Sequence, residues 1–464
     1  MNSITNVIAA ISTPPGKGGV AVIRMSGIGA FEIAGEVFLT KSGKKLTEVR
    51  PRVQIYGYIM DGDEAVDDVL LTAFPAPGSY TGEDTVEISC HGGILVSRTV
   101  LEVLLRHGAH PAEPGEFTKR AYLNGRLTLS EAEGIGNLLG AESRDQMRLG
   151  AEPSRRILGE RINDIRSRLV SIMSAVYARI DYPDEDLGEL SDADIVSMLT
   201  ECEKMTDSLL TTYRTGKAIT EGVRATIVGK PNVGKSSFYN MLLGEESAIV
   251  TDVAGTTRDV LERSVPLGKV MLRLADTAGI RDSEDMDAVE RIGVAKSRER
   301  LKNCELIFAL FDISAPLDKE DLALLDLLCN ENIPKIAVLN KSDKPSAISE
   351  DELAARFERT IRLSAASPSA HSVTELTEAV ESLFIDGRIS VGSDAVIYSD
   401  RMRSALLRAL DLIRSARDAI LMGIAQDAVS GDIERAIGAV SELDGRAVSE
   451  EIVADIFKNF CVGK

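Results

Sequence analysis

The alternation of apolar and polar positions predicts strands in the first part of the chain. Short runs rich in β-branched residues are separated by Gly, Pro and Asp turns, which is typical of strands joined by tight loops. These runs cover residues 20–24, 53–59, 69–74 and 86–89, and an amphipathic helix is predicted at 95–106. Residues 1–120 are therefore expected to form an α+β domain.

The rest of the chain changes periodicity twice. Apolar residues recur at helical spacing from residue 122 to 213, and again from 398 to 464. Between these stretches, strands alternate with helices, which indicates an α/β unit with a parallel sheet. Its strands are predicted at residues 225–228, 270–274, 306–311, 336–339 and 361–363. We expect a helical domain of residues 121–215 and 386–464 with the α/β unit, residues 222–385, inserted into it; two separate helical bundles are the alternative.

Length and charge limit the classes of function. A chain of 464 residues exceeds one hydrophobic core, so about three domains are expected. A net charge of −19 argues against a protein that coats nucleic acid by bulk electrostatics, and an RNA contact therefore needs a local basic patch. Arginines on the predicted helices are candidates, although interspersed acids favour a solvated helix face. They are Arg144, Arg148, Arg155, Arg156, Arg161, Arg166, Arg168, Arg401, Arg403, Arg408, Arg414 and Arg417.

Cysteine usage and apolar runs predict a cytoplasmic protein. Five cysteines without C-x-x-C spacing suggest neither a disulfide framework nor a zinc site, which fits a reducing compartment. The short apolar run at residues 7–11 lacks a basic segment before it and is a poor signal peptide. No apolar run approaches the roughly 20 residues needed to span a bilayer, so no membrane association is expected.

A phosphate-binding loop is predicted at residues 229–236. These residues read G-K-P-N-V-G-K-S, directly after a predicted strand and before the helical run 237–243. Glycines allow backbone N–H groups to surround phosphates, Lys235 can reach the terminal phosphates, and Ser236 can supply a magnesium ligand. A chance glycine turn is the alternative, and the strand and helix around the loop argue against it.

Three further motifs follow in the order expected of a guanine-nucleotide site. D-T-A-G at residues 276–279 follows a strand, where an acidic magnesium partner and a γ-phosphate-sensing glycine belong. N-K-S-D at 340–343 closes the predicted strand 336–339, and its carboxylate can accept from guanine N1 and the 2-amino group, which adenine cannot match. S-A-A at 364–366 can offer a backbone N–H to guanine O6. Each motif alone is weak, but their order predicts that the bound base is guanine.

The residues alone leave several candidates for the group that promotes GTP hydrolysis. Ile280 follows the D-T-A-G glycine and cannot orient a water molecule, so another polar group must. The acids at residues 281–291 are candidates, with a solvated acidic loop as the more ordinary interpretation of each. Thr256 or Thr257 can close on magnesium and the γ-phosphate. Arg258 is either an arginine finger or a loop anchor that pairs with Asp259, and the anchor is favoured.

The predicted GTP contacts come from five segments of the α/β unit. They are Asn232, Val233, Gly234, Lys235, Ser236, Ser237, Thr251, Asp252, Val253, Ala254, Gly255, Thr256, Thr257, Asp276, Thr277, Ala278, Gly279, Asn340, Lys341, Ser342, Asp343, Ser364, Ala365 and Ala366.

Together these motifs resemble one family. G-K-P-N-V-G-K-S, T-D-V-A-G-T-T-R-D, D-T-A-G-I-R, V-E-R-I-G and the terminal F-C-V-G-K are similar to the tRNA-modification GTPases called MnmE or TrmE. The likeness runs from Pro14 to Lys464, and the last four residues, C-V-G-K, are its most specific motif because related phosphate-loop GTPases lack them.

The resemblance implies a catalytic role for potassium in place of an arginine finger. Asn232 matches the residue whose side chain binds K⁺, with Thr251, Val253 and Thr256 as further ligands. Ser236 and Thr257 match the Mg²⁺ ligands, and Glu290 matches the residue that positions the attacking water. A monovalent cation between phosphate oxygens can offset transition-state charge much as a guanidinium does.

The resemblance also implies a folate site and a reactive cysteine. Arg24, Glu83 and Lys464 match the tetrahydrofolate positions of the family's N-terminal domain. Arg126 stands where a lysine is expected, and a guanidinium differs from an ammonium in geometry. Without the family, Arg24 and Glu83 would be interpreted as a surface pair. Cys461 is either an inert thiol or a nucleophile in the modification chemistry.

The implied partners are a second copy of the chain, tRNA and the FAD-dependent protein MnmG, in a heterotetramer. Together they would add an aminomethyl or carboxymethylaminomethyl group to C5 of a wobble uridine, using a tetrahydrofolate one-carbon unit. The alternative function is a regulatory GTPase switch of the ribosome-assembly type, which would not need Cys461.

Overall fold

The computed structural model describes residues 6–41, 46, 50–181, 191–244, 263–274, 304–349, 353–458 and 460–463. It divides into two compact units, Met1–Gly136 with Ile437–Lys464, and Asn137–Ala436. None of the helices in these described ranges is long and apolar enough to cross a membrane.

The strands and helices of the described residues have the following bounds. The strands are β1 (Ile8–Ile11), β2 (Val20–Ser26), β3 (Phe38–Thr40), β4 (Ile55–Asp61), β5 (Glu64–Phe74), β6 (Thr85–His91), β7 (His110–Pro111), β8 (Val223–Val228), β9 (Arg263–Leu267), β10 (Val270–Leu274), β11 (Leu306–Asp312), β12 (Lys335–Asn340) and β13 (Arg359–Arg362). The helices are α1 (Ala30–Val37), α2 (Ile94–Arg106), α3 (Glu116–Leu123), α4 (Leu129–Leu139), α5 (Arg144–Gly150), α6 (Glu152–Asp181), α7 (Asp192–Thr220), α8 (Lys235–Leu243), α9 (Lys319–Cys329), α10 (Ala370–Phe384), α11 (Asp400–Leu421), α12 (Gln426–Asp444) and α13 (Glu450–Lys458).

The first unit is built on a seven-stranded sheet in the order β3-β4-β5-β6-β2-β1-β7. Alternate residues of its strands, such as Ala21, Ile23 and Met25 of β2, are buried against α1 and α2. This period of two places the apolar residues of each strand on one face. The prediction of an α+β fold for this part of the chain is confirmed.

The second unit contains a six-stranded sheet in the order β13-β12-β11-β8-β10-β9. Neighbouring strands are parallel except β9, which pairs antiparallel with β10. Successive residues of β11 are buried on opposite faces, with Phe308 in one core and Phe311 in the other. A parallel sheet covered on both faces needs such continuous apolar strands, and the predicted α/β unit is confirmed.

Several strands differ from the pattern seen in the sequence, among them the short strands β1, β3 and β7, which were not predicted. β5 begins at Glu64, five residues earlier than expected, because its polar start pairs with β4 as a hairpin. β13 begins at Arg359 because Arg359 and Thr360 pair with β12. β9 was not predicted; it contains Pro266, and an edge strand tolerates a residue without an N–H donor.

Candidate nucleotide-binding site

The phosphate loop connects the end of β8 to the start of α8. Gly234 adopts a left-handed conformation with φ of 100° and caps α8, and Asn232 also has a positive φ of 59°. A Cβ at Gly229 would lie 2.8 Å from the carbonyl oxygen of Leu310, so only glycine fits there. The loop therefore turns tightly into the N-terminus of α8, where backbone N–H groups and the positive end of the helix can bind phosphate.

Lys235 lies across this loop. Its Nζ donates to the carbonyl oxygens of Gly229 at 3.0 Å and Lys230 at 2.9 Å. Ser236 is exposed and Ser237 is half-buried in the first turn of α8. The predicted phosphate-binding residues of the loop are thus gathered at one helix terminus, with Asn232 exposed beside them.

Asn340 connects the phosphate loop to the segment that follows β13. Its Nδ2 donates to the carbonyl oxygen of Val233 at 2.8 Å, and its Oδ1 accepts from the backbone N–H of Ala365 at 2.9 Å. Asn340 is buried, and a Cβ at Gly234 would collide with its amide. One side chain therefore holds together three of the predicted nucleotide-binding segments.

The residues predicted to recognise the base form hydrogen bonds of their own. Ser342 N donates to the carbonyl oxygen of Leu363 at 3.2 Å. A hydrogen bond from the Ser364 hydroxyl lowers the pKa of the exposed Asp343 carboxyl, which keeps it ionised and able to accept from guanine.

Lys341 is fixed by an ion pair. Its backbone is left-handed with φ of 64°, and its Nζ lies 2.5 Å from Asp312 Oδ2 at the end of β11. Burial favours the neutral acid, but hydrogen bonds from Lys341 and Ser314 outweigh it and lower the pKa of Asp312 to about 2.

Several predicted site residues lie outside the described residues. These are Thr251, Asp252, Val253, Ala254, Gly255, Thr256, Thr257, Asp276, Thr277, Ala278, Gly279, Glu290 and Lys464.

The candidate folate residues of the first unit have separate partners. Arg24 pairs with Glu87 at 2.8 Å, and its guanidinium lies over the rings of Tyr80 and Phe117, with centroid distances of 5.5 and 5.7 Å. Glu83 accepts instead from Arg120 and from Ser26. Arg24 and Glu83 are therefore not an ion pair with each other.

Glu83 is held by a charged residue that the sequence pattern did not single out. Arg120 is 1% exposed and bonds the carboxylates of Glu83 and Glu116 and the carbonyl oxygen of Asn6. A charged side chain in the amphipathic α3 is ordinarily assigned to solvent, so the spacing gave no signal. Arg126 is exposed, and its stem packs 3.2 Å from the position a Cβ would take at Gly82.

Residues 461–463 of the C-terminal C-V-G-K segment pack within the first unit. Val462 forms a β-bridge with Pro114, and the Ser12 hydroxyl donates to the carbonyl oxygen of Gly463 at 3.0 Å. Gly463 has φ of 93°, and a Cβ there would lie 2.5 Å from the carbonyl oxygen of Ile11. The thiol of Cys461 remains exposed.

Many of the helical arginines pair with neighbouring acids. Arg168 bonds Asp164 and Glu201, and Arg414 and Arg417 share Glu203. These pairs neutralise much of the positive charge on α6 and α11, as expected of a solvated helix face.

Two family models match the chain. "GTP-binding protein TrmE N-terminus" matches residues 7–126, and "MnmE helical domain" matches residues 129–461. Proteins named tRNA modification GTPase MnmE from Thermoanaerobacter sp. (strain X514) and Clostridioides difficile (strain 630) are each 38% identical over 99% of this chain and 100% of their own length. A solved structure of Era with MgGDPNP and nucleotides 1506–1542 of 16S ribosomal RNA is 24% identical over 41% of this chain and 66% of that chain, with a TM-score of 0.27.

The fold and the site define a guanine-nucleotide-binding protein of the phosphate-loop class. The parallel sheet carries the phosphate loop after β8 and the N-K-S-D segment after β12. With matches over nearly its whole length, the chain belongs to the MnmE family of tRNA modification GTPases.

Proposed function

We propose that this chain hydrolyses GTP and acts in the modification of tRNA. The observation that carries the proposal is the bridge by Asn340, which bonds both the phosphate loop and the segment after β13. Two loops held together in this way can bind the phosphates and the base of one nucleotide. Asp343 would accept from the guanine base, and Lys235 would contact the terminal phosphates.

Magnesium fits the exposed start of α8. The Ser236 hydroxyl is an oxygen ligand of the kind that Mg²⁺ prefers, and we propose Thr257 as a second ligand. A bound Mg²⁺ would supply positive charge that offsets the negative charge of the phosphate oxygens. The protein would orient these oxygens and exclude competing water.

Potassium is proposed as the activating cation. Asn232 is exposed at the tip of the phosphate loop, where its amide oxygen can coordinate a cation next to the phosphates. The proposed further ligands are Thr251, Val253 and Thr256. Bound K⁺ would supply positive charge where an arginine finger acts in other GTPases. Glu290 is proposed to position the attacking water.

The α/β unit is proposed to be inserted into the helical domain. Helices α7 and α11, which precede and follow the sheet in the chain, pack against each other. The returning chain is bonded to α7, because Thr215 Oγ1 accepts from Asp386 N at 2.9 Å and Thr212 Oγ1 accepts from Ile397 N at 3.1 Å. These contacts support an insertion of residues 222–385 between the helical segments 121–215 and 386–464, and a separate domain of residues 1–120 is proposed beside them.

The N-terminal domain is proposed to bind a tetrahydrofolate derivative. Arg24 lies over two aromatic rings and pairs with a carboxylate, and Glu83 is fixed by a buried arginine. This combination of aromatic faces, fixed carboxylate and guanidinium suits a flat, hydrogen-bonding ring with an acidic tail. Arg126 and Lys464 are the proposed partners of that tail. The folate would supply the one-carbon unit.

The proposed assembly is a cytoplasmic homodimer that works with the FAD-dependent partner MnmG in a heterotetramer. The product would be an aminomethyl or carboxymethylaminomethyl group at C5 of the wobble uridine of certain tRNAs. The exposed Cys461 is proposed to take part in this chemistry.

The potassium proposal is tested by the rate of GTP hydrolysis in KCl and in NaCl of equal concentration. We expect faster turnover in KCl for the wild-type chain and equal, slow rates for Asn232→Gly. Glycine keeps the positive φ of residue 232 and removes only the side-chain amide. Equal rates of the wild-type chain in both salts would remove the potassium mechanism.

The modification proposal is tested by Cys461→Ser in a strain that lacks the endogenous protein. We expect loss of the modified uridine in tRNA hydrolysates, while purified Cys461→Ser retains GTP hydrolysis. The matched control is Cys329→Ser, which alters another exposed thiol. Normal modification with Cys461→Ser would favour a regulatory switch in which the nucleotide state only controls partner binding.

A further inference from the structure

A second lysine of the phosphate loop, Lys230, is bonded to the start of α9. The Nζ of Lys230 lies 2.6 Å from Asp321 Oδ2 and 2.8 Å from Asp318 Oδ2, both at the start of α9. The Lys230 side chain is 15% exposed, and Asp321 is 2% exposed. Lys230 therefore belongs to an ion cluster that joins the phosphate loop to α9, in which Asp321 is buried and Asp318 is 53% exposed.

The two aspartates form a preorganised acceptor. Asp318 caps α9, its Oδ1 accepting from Glu320 N and Asp321 N, while Asp321 Oδ2 accepts from Asp318 N at 3.1 Å. This reciprocal capping box fixes both carboxylates before Lys230 arrives. Burial opposes the charged ammonium, but the hydrogen bonds to Asp318 and Asp321 outweigh it and raise the pKa of Lys230.

The ionised carboxylate of Asp321 depends on the counter-charge of Lys230 more strongly than the carboxylate of Asp318 does. Among the described residues, Asp321 Oδ1 is a buried oxygen without a hydrogen-bond partner. The charge of Asp321 therefore relies on the bond from Lys230 to its other oxygen and on its helix-capping bond. Removing the counter-charge of a buried carboxylate is strongly unfavourable, so the cluster resists separation.

The cluster also fixes the resting place of Lys235. The carbonyl oxygen of Lys230 accepts from Lys235 Nζ at 2.9 Å, and Asn232, with its positive φ, lies two residues further on. The side chain of Lys230 therefore fixes the same stretch of backbone that is proposed to surround the phosphates.

We infer that Lys230 is a positioning residue that preorganises the phosphate loop by anchoring it to Asp318 and Asp321, and that it does not itself contact the phosphates. This inference rests on the proposed guanine-nucleotide site. A preorganised loop loses less entropy when it binds phosphate, so the anchor raises affinity. The backbone N–H groups surround phosphates common to GDP and GTP, and both affinities should depend on the anchor equally.

The inference is tested by fluorescence titration of the full chain with mant-GDP and mant-GTPγS. We expect Lys230→Met to raise the Kd of both nucleotides by about tenfold, which corresponds to about 1.4 kcal/mol. Lys230→Arg, which keeps the charge and can donate to both carboxylates, should stay within about twofold of wild type. The matched control is Lys319→Met, which removes an exposed charge from the first turn of α9.

A second pair of variants separates anchoring from direct contact. Asp321→Asn should weaken both nucleotides as Lys230→Met does, and the double variant should be no weaker than either single one. If Lys230 reached the phosphates itself, Asp321→Asn would release it and leave the Kd unchanged or lower. That result, or a loss confined to mant-GTPγS, overturns the inference.

Hydrolysis distinguishes positioning from a loss of folding. The KM for GTP should rise with the Kd, while kcat at saturating GTP should change less than about twofold. A lower active fraction with unchanged Kd would indicate a purely structural role and overturn the inference.

If Lys230→Met does not fold, Asp318→Asn, which removes the more exposed acceptor, should raise both Kd values about threefold. If the wild-type chain binds neither mant-GDP nor mant-GTPγS, the proposed function is overturned together with the inference. If the wild-type chain binds both nucleotides and the variants bind them equally well, only the inference about Lys230 is overturned.

Discussion

The buried amide of Asn340 donates to the carbonyl oxygen of Val233 at 2.8 Å and so ties the end of β12 to the phosphate loop. The other end of the same amide accepts from Ala365 N. A single side chain thus sets the distance between the loop expected to hold the phosphates and the segments expected to hold the base. We therefore expect binding of the two ends of one nucleotide to be coupled through this residue.

Asn340→Ala should therefore weaken GDP and GTP together. It leaves a buried carbonyl oxygen and a buried N–H without partners, which costs about 1–3 kcal/mol each. We expect a Kd increase of at least about tenfold for both nucleotides in a fluorescence titration. The control is Asn330→Ala, which removes an exposed amide at the end of α9. Unchanged affinity in Asn340→Ala would show that the bridge does not organise the site.

Asp343 should determine the choice of base. Asp343→Asn replaces two acceptor oxygens by one acceptor oxygen and one donor NH₂ group. This combination suits xanthine, in which a 2-oxo group replaces the 2-amino group of guanine. We expect GTP affinity to fall by about two orders of magnitude and XTP affinity to rise, since a mismatched buried polar pair is strongly rejected. Competition between GTP and XTP for a fluorescent GDP analogue measures this. Loss of both nucleotides without a switch would contradict direct recognition of the base.

The nucleotide motifs could be predicted from the sequence because each is local. G-K-P-N-V-G-K-S has a fixed backbone shape that requires Gly229 and Gly234, and the structure confirms both close approaches. The strand at residues 270–274 is also confirmed, since a short apolar run between turns permits few alternatives. Local chemistry and local conformation are therefore visible in the order of residues.

Contacts between distant segments could not be predicted in the same way. Lys230 and Asp321 are 91 residues apart, and Arg120 and Glu83 are 37 apart. Nothing in the helical periodicity of α3 distinguishes the fully buried Arg120 from a solvated arginine. Ion pairs that depend on tertiary packing become visible only when the fold brings the partners together.

The pair of Asp312 and Lys341 should stabilise the fold in a pH-dependent way. The pKa of Asp312 is lowered from 3.8 to about 2, so its contribution is complete above pH 4 and is lost as the pH falls through 2. Asp312→Asn should therefore destabilise the chain at pH 6, and the difference from wild type should shrink at pH 3. Urea unfolding at both pH values measures it, with Asp326→Asn, an exposed carboxylate of α9, as control. A difference that is independent of pH would contradict an ionic contribution.

The ion pairs of Arg120 and the ion pair of Arg106 should contribute very differently to the free energy of unfolding. Arg120→Met leaves Glu83 and Glu116 without their buried counter-charge and should lower the free energy of unfolding by about 3–5 kcal/mol. Arg106→Met breaks an exposed pair with Asp61 and should cost less than about 1 kcal/mol. Denaturant unfolding compares the two. Equal effects would show that burial does not govern the strength of the Arg120 cluster.

Gly463→Ala should separate the two activities of the chain. Gly463 has φ of 93°, and a Cβ there would lie 2.5 Å from the carbonyl oxygen of Ile11, so alanine would displace the C-terminal segment that carries Cys461. A left-handed conformation alone costs a residue with a Cβ about 1–2 kcal/mol, which reduces the packed state about tenfold. We expect the level of modified wobble uridine to fall, while GTP hydrolysis in potassium stays at the wild-type rate. Gly438→Ala is the matched control, because a Cβ at that position of α12 meets no atom within 4 Å. Full modification in Gly463→Ala would mean that the packed position of the C-terminal segment does not matter for the chemistry of Cys461.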